Sequence, residues 1–372
     1  MSEKIAVSVA GASGYTGMEA IRVLHGHPNV ELKNLYGSKS AGSSFPDQYK
    51  AMESLVDLPI RGFDQLIADN SDAIFLGLPH GKSAAAAKML FDAGYKGRIV
   101  DMSSDFRLKD PASCEKWYGW THPHPELIEK FVYGLSEWYR NDIRLADHIS
   151  NPGCFATAIQ LGVLPFAREG LISSCDVTGI TGSSGSGASP AAGTHFSSRF
   201  GNLKAYKVYG HQHIAEVNQT LEDQIRRQAG GASVSREESP ATGQPEAPGY
   251  SGPAGETALP EIRFVPVSGP FVRGIWMTLT FSLNENKHAG NLLEEEYYNA
   301  PLVRLQEGLP ELKQVVGSAF TDIGWVQQGR NVVIGVAIDN LLKGAASQAV
   351  QNLNLMMDWP EETGLTFPPT IL

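Results

Sequence analysis

Cys154 is the residue of this chain best placed to act as a nucleophile. It follows Asn151-Pro152-Gly153, a turn-forming tripeptide, and precedes the apolar run Ala158, Ile159, Leu161, Gly162, Val163, Leu164, which reads as a helix. A thiol at a helix start faces unpaired backbone N–H groups and the positive end of the helix dipole, and both favour an anion. A free cysteine has a pKa of about 8.5, and such a setting lowers it. The other use of the same residue is a small, inert core side chain. A nucleophilic thiol needs an acid/base partner, and the stretch Tyr206–Glu216 offers two histidines, His211 and His213. They point the same way if the chain is extended there. One could serve the thiol, or both could be hydrogen-bonded structural side chains.

A second set of residues reads as a cofactor site. Lys4–Ala10 is a short apolar strand that runs into Gly11-Ala12-Ser13-Gly14-Tyr15-Thr16-Gly17, and Glu19–Leu24 continues as a helix. Glycines at this spacing let the backbone turn tightly and approach a pyrophosphate, whose charge the helix N-terminus binds. The position of the motif, between the first strand and the first helix, strengthens it. Val30–Leu35 is the second strand. Where an NAD enzyme carries an acidic residue for the ribose 2′-hydroxyl, this chain has Tyr36-Gly37-Ser38-Lys39-Ser40. A hydroxyl and a cation suit a 2′-phosphate, so the expected cofactor is NADP(H), with Ser38 and Lys39 as its contacts.

These residues need elements to hold them. Strands at Asp72–Leu78 and Arg98–Met102, with an alanine-rich helix at Ser83–Ala93 between them, continue a βαβ alternation. The fold class is therefore α/β, with a doubly wound, Rossmann-type parallel sheet first. His122 and His124, among prolines in Trp117–Pro125, read as a surface loop without a third metal ligand. Behind Cys154, strands at Asp176–Thr181, Glu261–Val267, Gly274–Leu283 and Asn331–Ile338 indicate an α+β domain with a largely antiparallel sheet. The loop Gly182–Pro190 is rich in serine and glycine and could offer N–H groups and hydroxyls to a phosphate. Residues 230–255 are poor in large apolar side chains and read as a mobile surface insertion.

Composition bounds the rest. The chain has 372 residues, 42% of them apolar, 19% charged, and a net charge of −10. That suits two domains and gives no reason to expect nucleic acid or an anionic membrane as partner. The three cysteines, Cys114, Cys154 and Cys175, fit neither a disulfide framework nor a zinc site, which points to a reducing compartment. With no signal peptide and no apolar run long enough to span a bilayer, a cytoplasmic location is expected, and no metal.

Taken in order, Gly11–Gly17, Ser103-Ser104-Asp105-Phe106-Arg107-Leu108, Val132-Tyr133-Gly134-Leu135, Asn151-Pro152-Gly153-Cys154, His211-Gln212-His213, Arg273-Gly274 and Asn340–Ala346 resemble the N-acyl-gamma-glutamyl-phosphate reductases of arginine biosynthesis. That family is related to the aspartate-semialdehyde dehydrogenases. The resemblance runs nearly end to end apart from the insertion. It implies NADPH-dependent reduction of an acyl phosphate to a semialdehyde, with Cys154 as nucleophile and His211, rather than His213, as acid/base. It implies substrate contacts from Arg107, Ser184, Gly185, His213 and Arg273. For the cofactor it implies Gly11, Ser13, Gly14, Tyr15, Thr16, Gly17, Ser38, Lys39, Asn340 and Lys343. The C-terminal helix would return to the first domain, giving a discontinuous domain of 1–153 and 340–372 around a catalytic domain of 154–339. A dimer or tetramer of identical chains is implied too. Departures are Phe155-Ala156 where the family commonly has Tyr-Pro, Ser136 where it has proline, and Ser183–Gly187 in place of Ser-Gly-Ala-Gly. They leave open the N-succinyl-glutamyl substrate and the aminoadipyl-phosphate reductase of lysine synthesis. A non-catalytic NADP-binding regulator is the alternative of another class.

Overall fold

The computed structural model describes residues 4–230 and 259–370. The stretch read as an insertion, apart from Gly230, lies outside the described residues. Two seven-stranded sheets organise the chain. The first holds β1 (Ile5–Ala10), β2 (Val30–Tyr36), β3 (Ile60–Arg61), β4 (Ala73–Leu76), β5 (Arg98–Asp101), β6 (Phe131–Tyr133) and β7 (His148–Ser150), in the order β3-β2-β1-β4-β5-β7-β6. Every pairing in it is parallel. Buried on both faces, β4 is continuously apolar, Ala73-Ile74-Phe75-Leu76, as a central parallel strand should be. The order reverses between β1 and β4, so the crevice beyond their carboxyl ends is the switch point where such sheets bind ligands.

The second sheet holds β8 (Ser174–Thr181), β9 (Lys204–Ala205), β10 (Glu261–Ser268), β11 (Ile275–Ser282), β12 (Val303–Glu307), β13 (Thr321–Gln328) and β14 (Asn331–Ile338), in the order β12-β13-β14-β11-β8-β10-β9. It is mixed and largely antiparallel: β10 with β8 and β12 with β13 are its parallel pairs. In β11 the residues Ile275, Met277, Leu279 and Phe281 alternate inward, as a strand with one covered face requires.

The helices are α1 (Tyr15–His25), α2 (Phe45–Gln48), α3 (Lys82–Asp92), α4 (Pro111–Tyr118), α5 (Arg140–Arg144), α6 (Cys154–Ala167), α7 (Phe196–Arg199), α8 (His213–Gln228), α9 (Ala289–Tyr297) and α10 (Ala346–Met356). From Phe155 to Ala167 every residue of α6 is buried, and all but Thr157 and Gln160 are apolar or glycine, so this helix passes through the core. It packs on α8, β11 and β14, and its first residue is Cys154. The chain finally returns to the first sheet, where α10 lies against α1, α5 and β5.

Several strands go beyond the sequence reading, and one loop is placed differently. β6 and β7, three residues each, extend the parallel sheet past β5 but are too short to show a period. Thr321–Gln328 forms β13 as the hairpin partner of β14. His122 does not sit on a surface loop: it is 4% exposed, its ring tilted against Phe106 and Trp120. The apolar neighbours of the segment bury it, and proline content alone did not reveal that.

Candidate active site

The turn Asn151–Gly153 joins β7 to α6 and so carries Cys154 from the carboxyl edge of the first sheet into the second domain. Arg107 fixes this turn from below. Its Nε donates to the Asn151 carbonyl at 2.8 Å, one terminal nitrogen to the Met102 carbonyl at 3.2 Å, and the other to Glu216 Oε1 at 3.2 Å. Asn151 in turn donates to the Ala345 carbonyl and accepts from Asn352. Gly344 presses on Cys154 from the other side.

Glu216 is the hub. It is wholly buried one turn into α8, and its carboxylate accepts the Gly153 N–H at 2.8 Å, the Tyr133 hydroxyl at 2.8 Å and the Tyr118 hydroxyl at 3.2 Å. His213 opens α8, three residues earlier and therefore on the same helical face. Its Nε2 stands 4.0 Å from Glu216 Oε1, while Nδ1 is buried with no partner among the described residues. The imidazole lies flat against Gly153: a β-carbon on that glycine would come within 2.5 Å of His213 Nε2. Glycine at 153 is thus required by the close approach of the ring.

His211 makes other contacts. Its Nδ1 accepts the backbone N–H of His213 at 3.2 Å, which satisfies a free N–H at the start of α8. Its ring meets Phe155, Phe264 and Tyr206 edge-on. Burial lowers its pKa to about 2. Burial also holds His213 well below the usual histidine value, with Arg107 adding to the effect. Both rings are therefore neutral at physiological pH. Cys154 does not follow the expectation of a lowered pKa. Burial pushes its thiol up to about 11, against the opposing pull of Arg107 and the Phe155 N–H. At this helix start the cost of desolvating a thiolate exceeds the help of the dipole. The thiol is protonated at neutral pH and needs a base beside it.

The remaining expected contacts divide. Ser184 Oγ donates to the Val272 carbonyl, Asn340 bonds both Ser184 and the Gly274 N–H, and Gly185 is exposed next to them. This places the serine–glycine loop and Asn340 together. Two cations are held elsewhere. Arg273 is paired with Asp339 and with Glu19 of α1, so it ties the second domain to the helix of the glycine loop. Lys343 is fully buried in a pair with Glu137 and a bond to Gln351. A buried ammonium without a carboxylate would be too costly, and this pair holds it away from solvent. Glu216, Tyr118, Tyr133 and His80 were not foreseen. The His213–Glu216 spacing in a helix was a usable signal for the first of these. His80, bonded to Ser104, comes from the loop after β4.

The glycine loop fits a dinucleotide. Gly11 has φ +93°, and a β-carbon there would lie 2.2 Å from the Gly77 carbonyl oxygen. The backbone N–H groups of Gly11 and Ala12 bond the Tyr36 carbonyl, which sets the end of β2 beside the loop. Gly14 caps α1 without a side-chain bond, so the helix N-terminus is open to an anion. Ser13, Tyr15 and Thr16 are at least partly accessible around it, and Ser38 and Lys39 are exposed just beyond β2.

Comparison with known proteins agrees with this geometry. Residues 6–146 match the family model of the semialdehyde dehydrogenase NAD-binding domain, and 154–231 with 246–340 match the semialdehyde dehydrogenase dimerisation domain. The N-acetyl-gamma-glutamyl-phosphate reductase of Geobacillus kaustophilus is 36% identical, over 98% of both chains. That of Nitrosomonas europaea is also 36% identical, over 99% of both. Among solved structures, aspartate semialdehyde dehydrogenase II of Vibrio cholerae superposes with a TM-score of 0.68 at 14% identity, covering 96% of this chain and 99% of that one. The Candida albicans aspartate semialdehyde dehydrogenase, solved with NADP, gives 0.64 at 15%, covering 95% and 98%. At these identities the two structures establish the fold. The full-length sequence matches establish more: the chain belongs to the N-acetyl-gamma-glutamyl-phosphate reductases of the semialdehyde dehydrogenase family.

Proposed function

We propose that the chain reduces N-acetyl-gamma-glutamyl phosphate to N-acetyl-glutamate 5-semialdehyde with NADPH, releasing phosphate, through a thioester on Cys154. The observation that carries this reading is the arrangement at one helix start: Cys154, then the His213 ring packed on Gly153, then the buried Glu216 carboxylate beyond it. It is a nucleophile, a base and an orienting carboxylate in series.

The steps follow from those positions. Cys154 Sγ attacks the acyl carbon, its proton passes to the His213 imidazole, the carbon–oxygen bond to phosphate breaks, and the departing phosphate takes a proton from solvent. Glu216 stabilises the imidazolium that forms 4.0 Å away. Arg107 holds the turn and lends positive charge to the thiolate as it develops. NADPH, when bound, supplies the hydride that converts the thioester to the aldehyde level. As the thiolate leaves, His213 returns its proton to sulfur. His211 accepts the His213 N–H and so helps place His213; it is not the base in this scheme.

The glycine loop with Ser38 and Lys39 is assigned to NADPH, supported by the open α1 terminus and the absence of an acidic residue after β2. We place the domain division at 1–153 with 340–372 against 154–339, supported by the packing of α10 on α1. A homo-oligomer built through the second domain is supported by its match to a dimerisation domain. A cytoplasmic location is supported by three unpaired cysteines. No helix among the described residues is long and apolar enough to cross a membrane. The deciding experiment measures NADPH oxidation and phosphate release with N-acetyl-glutamyl, N-succinyl-glutamyl and aminoadipyl phosphates in parallel. A kcat/KM highest for the first supports the assignment; release of phosphate from none of them overturns it.

A further inference from the structure

A substrate with an acyl phosphate at one end and a carboxylate at the other brings several negative charges to the site. The cations expected at the substrate and at the cofactor are already matched. Arg107 faces Glu216, Arg273 faces Glu19 and Asp339, and Lys343 faces Glu137. Arg199 donates to the carbonyls of Thr181 and Gly269. None of these four stands as a free point charge for a phosphorylated substrate.

We infer that Lys207 supplies it, and that Lys207 binds the phosphoryl group of the acyl-phosphate substrate and inorganic phosphate in the reverse reaction. This rests on the reductase reading above. The Lys207 ammonium donates to Gln212 Oε1 at 2.8 Å, directly before α8, and has no carboxylate within ion-pair distance among the described residues. The side chain is exposed, so an incoming anion can reach it. Gln212 stands between His211 and His213, and the ring of the neighbouring Tyr206 meets His211, which sets Lys207 beside the two histidines; its positive charge also helps hold the pKa values of His80, His211 and His213 down.

The backbone supports the assignment independently. Lys207 has φ +45° and Tyr209 φ +58°, two of the four non-glycine residues among the described ones with positive φ. Such residues persist where the surroundings hold them, and they cluster at functional sites. Here the holding contacts are on the page. Tyr206 N–H bonds the Pro266 carbonyl, Tyr209 N–H bonds the Phe264 carbonyl, and Gly210 N–H closes the turn on the Lys207 carbonyl. The turn is pinned to β10 and runs straight into His211. A compact ammonium on a fixed turn is suited to a phosphate as a point charge.

The test uses the full-length enzyme in the reverse direction, with N-acetyl-glutamate semialdehyde, NADP and inorganic phosphate as separately varied substrates. Lys207→Asn removes the charge, and asparagine accepts the left-handed backbone. Its phosphate KM should rise about 10–100-fold, the range that a lost bond between charged groups corresponds to. The semialdehyde KM should stay within about twofold, and Lys207→Arg should recover most of the phosphate affinity. Lys207→Gly, which keeps the turn, repeats the comparison if the asparagine variant melts lower. An unchanged phosphate KM overturns the proposal. So does a rise confined to the semialdehyde KM, which would mean that Lys207 holds the carboxylate. Failure of the wild-type enzyme to need phosphate at all would overturn the reductase reading, and this inference with it.

Discussion

Glu216→Gln removes one buried negative charge and keeps the shape of the side chain and one acceptor oxygen. His213 Nε2 lies 4.0 Å from the carboxylate. At that distance two unit charges attract by about 4 kcal/mol at an effective dielectric of about 20, which converts to about 10³ in rate if all of it is felt by the imidazolium. The glutamine dipole returns part of this, so a kcat loss of about 10²–10³-fold is expected. The change also leaves Arg107 without its buried partner, which typically costs about 3–5 kcal/mol of stability. Melting by circular dichroism must therefore accompany the kinetics. The assay is single-turnover phosphate release, which reports acylation alone. The double variant separates action through His213 from general disruption. If Glu216 works through His213, His213→Asn and His213→Asn/Glu216→Gln should acylate at the same rate, because the second change removes a partner that is already idle. A folded Glu216→Gln enzyme with acylation within threefold of wild type refutes the reasoning, and so would full additivity of the two defects.

Three other outcomes follow from the same contacts. Lys39→Asp should weaken NADPH and shift preference toward NADH, read from the two KM values; an unchanged NADPH KM contradicts the 2′-phosphate assignment. Because burial sets the Cys154 thiol at about 11, its alkylation by iodoacetamide in the free enzyme should rise with pH from 7 to 9 without a plateau, since the thiolate fraction grows throughout that window; a plateau below pH 8 would mean a preformed thiolate. Lys343→Met should cost about 3–5 kcal/mol in denaturant unfolding, because Glu137 would be left as an unpaired buried carboxylate; that loss should shrink as pH falls and Glu137, whose pKa the lysine holds down, takes up a proton.

The parts of this molecule that were legible in the sequence are those written locally. The first strand, the Gly11–Gly17 turn and α1 form one continuous signal, and the alternation in β11 shows its covered face. The turn before Cys154 and the apolar run behind it announce a helix start. What the sequence could not show depends on segments that meet only in space. Arg107 carries the expected charge, yet Glu216, more than a hundred residues away, takes it up. Lys343 looks available in a loop but lies under α10 against Glu137. The choice between His211 and His213 turns on which ring lies against Gly153 and which holds the other's backbone N–H, and no spacing rule distinguishes them. The thiol departs from its expected acidity for the same reason. The dipole at a helix start is readable from sequence, and the desolvation that opposes it is not.

Mixing the enzyme with acyl phosphate in the absence of NADPH is the most direct test of the covalent route. Phosphate should appear in a burst of about one equivalent per active site, as expected when an acyl-enzyme accumulates. Mass spectrometry of the quenched protein should place the acyl group on the peptide containing Cys154. Cys154→Ser should show neither burst nor adduct. An adduct on Cys114 or Cys175, or turnover retained by Cys154→Ser, would contradict the thioester mechanism.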